Sequence, residues 1–169
     1  MARISKRAAF LFDTHGFDKM VEALSKENRE PALSKAMFTG ARMVQENIRK
    51  AYKSAKPNSN LGDAIMFHVY PSYEGAAVRR FYVKGGVGLN FGKESPLYRS
   101  YVLNFLEKGA KERLTKGKLG SRYPRQRLNR GSIPALKFFQ KGKNRGRNKI
   151  LKAIEKVLTE ELAKQAMKG

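Results

Sequence analysis

Between residues 122 and 130 the chain sets Arg122, Arg125, Arg127 and Arg130 around Tyr123 and Pro124. A guanidinium offers rigid, multidentate donors to phosphate, and a tyrosine ring offers a face on which a base can stack. A second basic group, Lys141, Lys143, Arg145 and Arg147, follows in a glycine-punctuated stretch. Both groups are candidates for contact with a polyanion such as DNA or with an acidic protein surface, and residue type alone does not choose between them. No helix-turn-helix, zinc-finger or RNA-recognition pattern accompanies them, so attraction to nucleic acid would be blind to sequence.

Residues suited to catalysis are few. The chain contains no cysteine, which excludes disulfides and thiolate nucleophiles and would leave a zinc site to histidine and carboxylates. His15 and His68 are the only histidines. The first sits at an expected helix start and the second between Phe67 and Val69 of an expected strand, and both read as structural. Gly85, Gly86 and Gly88 lack the spacing of a dinucleotide fingerprint, and no phosphate-binding GxxxxGK[ST] loop occurs. Asp13 and Asp18 lie close together, whereas Asp63, Glu74, Glu94, Glu107 and Glu112 are scattered, without the clustering that holds Mg²⁺ in a nuclease. The expectation is a non-enzymatic protein with no cofactor and no metal. A small basic ribonuclease, working with arginines and one His or Glu, is the enzymatic alternative.

The charge distribution is uneven. The 169 residues carry 36 Lys and Arg against 14 Asp and Glu, a formal charge of +22. From Lys108 to Lys149 there are 15 basic residues and one acid, Glu112, or +14 within 42 residues. Such a block repels itself until an anionic surface neutralises it. With 41% hydrophobic residues a single domain spanning 1–169 can bury a core without metal or disulfide staples. No run approaches the roughly 18 apolar residues of a membrane span, and Ala8 to Phe12 is too short for a signal-peptide core, so synthesis and folding in cytosol are expected.

The elements that must carry these residues follow from periodicity. Leu33, Met37, Gly40, Ala41, Val44, Ile48, Ala51 and Tyr52 recur every three or four positions, predicting a long helix from Pro31, placed in the first turn, to Tyr52. Pro57 and the Asn/Ser cluster around it stop this helix. Phe17, Met20, Val21 and Leu24 predict a short helix before it. Residues 61–70 and 76–84 read as a β-hairpin with its loop near Tyr73 and Glu74. Residues 87–91 fit either a third strand or a loop, and 97–108 fit either helix or strand. Two basic loops are expected at 111–131 and 141–149, separated by an apolar return at 133–139, and a second amphipathic helix at 150–167 closes the chain. The predicted fold is α+β: the long helix and the C-terminal helix on one face of a small antiparallel sheet, with a long basic loop.

In this order the elements resemble the tail-completion family of tailed bacteriophages, the small head–tail joining or minor tail proteins of the neck. Pro57, Leu61 and Ile65 match the family's A-P-x-x-T-G-x-L-x-x-S-I segment after the long helix, although the Thr-Gly pair is missing and the spacing is shorter. Residues 101–110, YVLNFLEKGA, resemble Y-A-x-x-V-E-x-G-T, with one extra residue and Ala110 in place of Thr. Ile133, Pro134, Ala135 and Leu136, followed by Phe138 and Phe139, resemble the apolar P-F-L-x-P-A element before the last helix. The resemblance implies a structural virion subunit that assembles as a ring, commonly a hexamer, between portal-side connector and tail-tube proteins, with DNA passing through its channel. It also implies that Glu107 and Gly109 form a structural turn or subunit interface. Six copies at +22 each would total +132, a charge that DNA, acidic partners or counterions must offset. The alternative reading is a basic nucleic-acid-binding protein, RNA-directed or ribosome-associated.

Overall fold

The computed structural model describes residues 10–12, 17–73, 81–89, 97–111 and 131–167. Its organising element is one helix, α2 (Lys26–Ala55), of 30 residues. The predicted stripe is its buried side: Leu33, Met37, Ala41, Val44, Ile48 and Tyr52 are all at most 2% exposed. Ala32 and Ala36 extend the buried arc beyond one stripe, because α2 is covered by two layers rather than one.

On one side of α2 lies a three-stranded antiparallel sheet in the order β1-β3-β2, built from β1 (Phe10–Phe12), β2 (Ile65–Tyr73) and β3 (Phe81–Leu89). The register pairs Ile65 with Leu89 and Phe67 with Val87, so these side chains share a face. Ile65, Val87 and Leu89 are fully buried there, and Phe38 of α2 meets the Phe67 ring edge-on at 5.0 Å. Met66, on the opposite face, is 37% exposed. Two side chains of α2 fix the entrance to β2. Gln45 Nε2 and Arg49 Nη2 both donate to the Ile65 carbonyl, at 2.7 and 3.0 Å.

Against another part of α2 pack α4 (Phe138–Asn144) and α5 (Arg147–Ala166), while α5 also touches α1 (Asp18–Ala23). Phe138 stands edge-on to Tyr52 at 5.1 Å. The Ser25 N–H donates to Gln165 Oε1 at 3.1 Å, tying the end of α5 to the α1–α2 junction. The remaining helix, α3 (Leu97–Lys108), packs on the 3-10 turn Leu61–Ala64 and on β3.

The α+β class and both principal helices agree with the sequence reading; three details correct it, and two open alternatives, at 87–91 and 97–108, are resolved. The long helix begins at Lys26, which places Pro31 at its sixth residue rather than in the first turn. There Pro31 removes one intrahelical donor, a cost that the heavily buried face downstream outweighs. Leu61 to Ala64 form a 3-10 turn, and β2 runs from Ile65 to Tyr73. Residues 87–89 belong to β3, and 97–108 are helical. Finally, 141–149 is not a loop but the end of α4, a two-residue turn and the start of α5. His15, the hairpin loop at 74–80 and the arm at 112–130 lie outside the described residues.

The α2–α5 contact includes an exposed ion pair. Lys35 Nζ lies 2.6 Å from Glu161 Oε1, and Lys164 Nζ lies 3.1 Å from the same oxygen. The hydrogen bonds from Lys35 and then Lys164 hold the Glu161 carboxyl below the ordinary carboxylate range, and the bond to Glu161 raises Lys35. A carboxylate depressed in the folded state stabilises above its unfolded pKa, and that contribution disappears as pH falls through the folded value. The raised lysine contributes fully below its unfolded pKa and loses this only at strongly alkaline pH. We therefore expect Glu161→Gln to flatten the acid limb of a urea-midpoint-against-pH curve. The difference from the native chain should be small and should shrink in high salt, because the pair is solvent-exposed.

Candidate polyanion-contact surface

Lys141 and Lys143 stand on α4, Arg145 at the turn, and Arg147 at the first residue of α5; all four are exposed. Lys149, within the basic stretch 141–149 but not among the four residues singled out from it, is also exposed, in the first turn of α5.

The corner is rigid for reasons that lie in α2. Gly142 faces Ile48 so closely that a Cβ on it would sit 2.5 Å from Ile48 Cα and 2.7 Å from its N. Asn47 Nδ2 donates to the Arg145 carbonyl at 2.8 Å, and the Arg145 N–H donates to the Lys141 carbonyl at 3.1 Å. Gly146 then takes φ 72°, the left-handed conformation that glycine adopts without penalty, and reverses the chain into α5. Phe138 beneath is fully buried. The backbone of the corner is thus pinned from below while its cations face outward.

The electrostatics are one-signed. Between Glu112 and Glu155 the sequence contains no acid. Among the described residues, Lys141, Arg145, Arg147 and Lys149 have no carboxylate partner. The first turn of α5 contains no acid, so Arg147 and Lys149 sit at the positive end of its backbone dipole. That placement opposes helix stability by a few tenths of a kcal/mol or more per charge.

Glu107 and Gly109 sit where α3 meets the apolar return. The Phe139 N–H, in the first turn of α4, donates to Glu107 Oε2 at 3.0 Å. Leu136 N–H and Lys137 N–H donate to the Leu106 and Glu107 carbonyls at the end of α3. Gly109 has φ 73°, and a Cβ there would lie 2.7 Å from the Ile133 carbonyl oxygen, close to where Ala110 bridges Ile133. Lys137 itself holds φ 51° as the residue before α4. We expect Glu107→Ala to cost about 1–2 kcal/mol in urea unfolding, the loss of a capping acceptor at a buried N–H. Glu107→Gln, which keeps an acceptor oxygen, should recover most of it.

Arg122, Tyr123, Arg125, Arg127 and Arg130 lie outside the described residues. Among the described residues no three His, Asp or Glu side chains gather as metal ligands, and no helix is long and apolar enough to cross a membrane. His68 is half-buried in β2 opposite Gly86. No protein-family model, curated protein or solved structure matches the chain.

Proposed function

We propose that this chain is a non-enzymatic structural subunit of a tailed-phage virion, a tail-completion or head–tail connector protein that closes into a ring at the neck. The observation that carries the reading is the way the Glu-x-Gly element works. Glu107 and Gly109 join α3 to the apolar return and to the first turn of α4, in the same order of elements on which the family resemblance rests. A ring buries one pair of complementary surfaces on every subunit and leaves no free edge. Its partners would be further copies of itself in a hexameric ring, the portal-side connector and the tail-tube protein. DNA would run through the channel.

Mass photometry of the chain, alone and mixed with the connector and tail-tube proteins of its own phage, tests this. A ring-sized species in either sample supports the proposal. A monomer in both, with strongly salt-dependent RNA affinity, would favour the basic RNA-binding alternative.

A further inference from the structure

We propose that the corner formed by α4 and the start of α5 is a docking surface for the phosphate backbone of duplex DNA, engaged without regard to sequence. This goes beyond ring assembly, since it concerns which polyanion the subunit touches and with which residues.

Two macromolecular classes could neutralise the corner, and its composition separates them. Residues 140–149 read QKGKNRGRNK, without one apolar or aromatic side chain. Specific protein–protein interfaces place apolar and aromatic anchors at their centre and are depleted in lysine. Nucleic-acid interfaces are more polar and far more positive. An acidic protein would thus find charge here and, one turn along α5 from Arg147, a single exposed aliphatic side chain, Leu151, but no aromatic anchor among the residues of the corner. The absence of an aromatic ring also removes the stacking platform that single strands use. What remains are the exposed cations Lys141, Arg145, Arg147 and Lys149, suited to backbone phosphates.

The second argument is energetic. Arg147 and Lys149 occupy the first turn of α5, where an acid would be stabilising. Arg145 is held at the turn through its own carbonyl by Asn47, which leaves its guanidinium unconstrained by that bond. Arg147 and Lys149 against the helix dipole, with Arg145 beside them and none of the three paired with a carboxylate among the described residues, weaken the isolated fold slightly. Phosphate contact reverses the sign of that effect.

The test uses the full chain, a short labelled DNA duplex of arbitrary sequence and fluorescence anisotropy over a salt series. The variant Arg145→Gln/Arg147→Gln/Lys149→Gln is compared with Lys19→Gln/Arg42→Gln/Lys156→Gln, which removes the same net charge from exposed sites elsewhere. Each phosphate contact contributes roughly 0.9 to the slope of log affinity against log salt. The corner variant should lower that slope by about 3 units and weaken binding at about 0.1 M salt by roughly 100-fold or more. The control should change the slope by less than about 1 unit. Equal losses from the two variants would mean diffuse attraction to a +22 chain and would overturn the proposal. So would an unchanged slope in the corner variant, or DNA binding that survives while retention on immobilised polyglutamate is lost, which would assign the corner to an acidic protein. Because two of the three cations oppose the α5 dipole, the corner variant should melt no lower than the native chain, so lost binding would not reflect unfolding. A chain that binds as described yet stays monomeric with the connector and tail-tube proteins present would sink the ring reading and leave this one intact; a ring whose corner variant binds DNA normally would do the reverse.

Discussion

Gly142→Ala should destabilise the protein by about 2–3 kcal/mol, although alanine is the better helix former. In a helix interior the substitution is ordinarily worth up to about 1 kcal/mol in alanine's favour. Here the added methyl carbon would lie 2.5 Å from Ile48 Cα, 2.6 Å from Cγ1 and 2.7 Å from N. Two of those atoms are backbone in the middle of α2, so no side-chain rotation relieves the overlap. The two helices must separate by about an ångström to restore ordinary contact, and the dispersion and burial between them fall together. Gly62→Ala is the matched reference. Its Cβ would meet only the Tyr52 ring, at 3.3 Å, and the cost should stay below about 1 kcal/mol. Urea midpoints at constant m-value for the three proteins decide the matter. If Gly142→Ala proves as stable as the native chain, the close crossing of α2 and α4 is wrong.

Phe138→Ala should cost more, about 3–5 kcal/mol, lowering the melting temperature by roughly 10 °C. Phe138 is fully buried at the head of α4, its ring 5.1 Å from Tyr52 and 5.1 Å from Phe139. Removing the ring opens a cavity bounded by α2, which cannot collapse inward without disturbing its own core face. It also deletes an edge-on aromatic pair whose Tyr52 hydroxyl is committed to Ser59 Oγ, 2.7 Å away. Phe138→Leu should recover about half of the loss, as a partial fill of the same space. The exposed Phe105→Ala on α3, by contrast, should shift stability by no more than about 1 kcal/mol.

These two residues also show where the sequence was and was not legible. The stripe of α2 could be read directly, because a helix buried along one side repeats its apolar residues at 3.6-residue intervals whatever covers it. Its start is not legible, because Pro31 imitates an initiation signal and no local pattern announces the earlier turn from Lys26. The stretch 141–149 reads as a loop because glycine is ordinarily a helix breaker. Gly142 is inside a helix for want of space against Ile48, whereas Gly146 is at a turn for its φ of 72°. One letter serves two physical needs, and only the tertiary crossing tells them apart. The three residues of β1 were too few to show an alternation, and their strand exists because β3 offers them an edge. For the candidate surface, the cations at 141–147 were evident from composition, but their fixed presentation depends on Asn47, nearly a hundred residues away.

The position of α2 between the sheet and the pair α4–α5 has a consequence for how the molecule opens. Among the described residues, the sheet and the pair α4–α5 each pack on the same 30-residue wall. Amide protons in the middle of that wall should therefore exchange with deuterium only when the whole chain comes apart, at a rate that tracks global stability. An excised C-terminal segment carrying α4 and α5 should remain unstructured, whereas the intact chain should melt in a single transition.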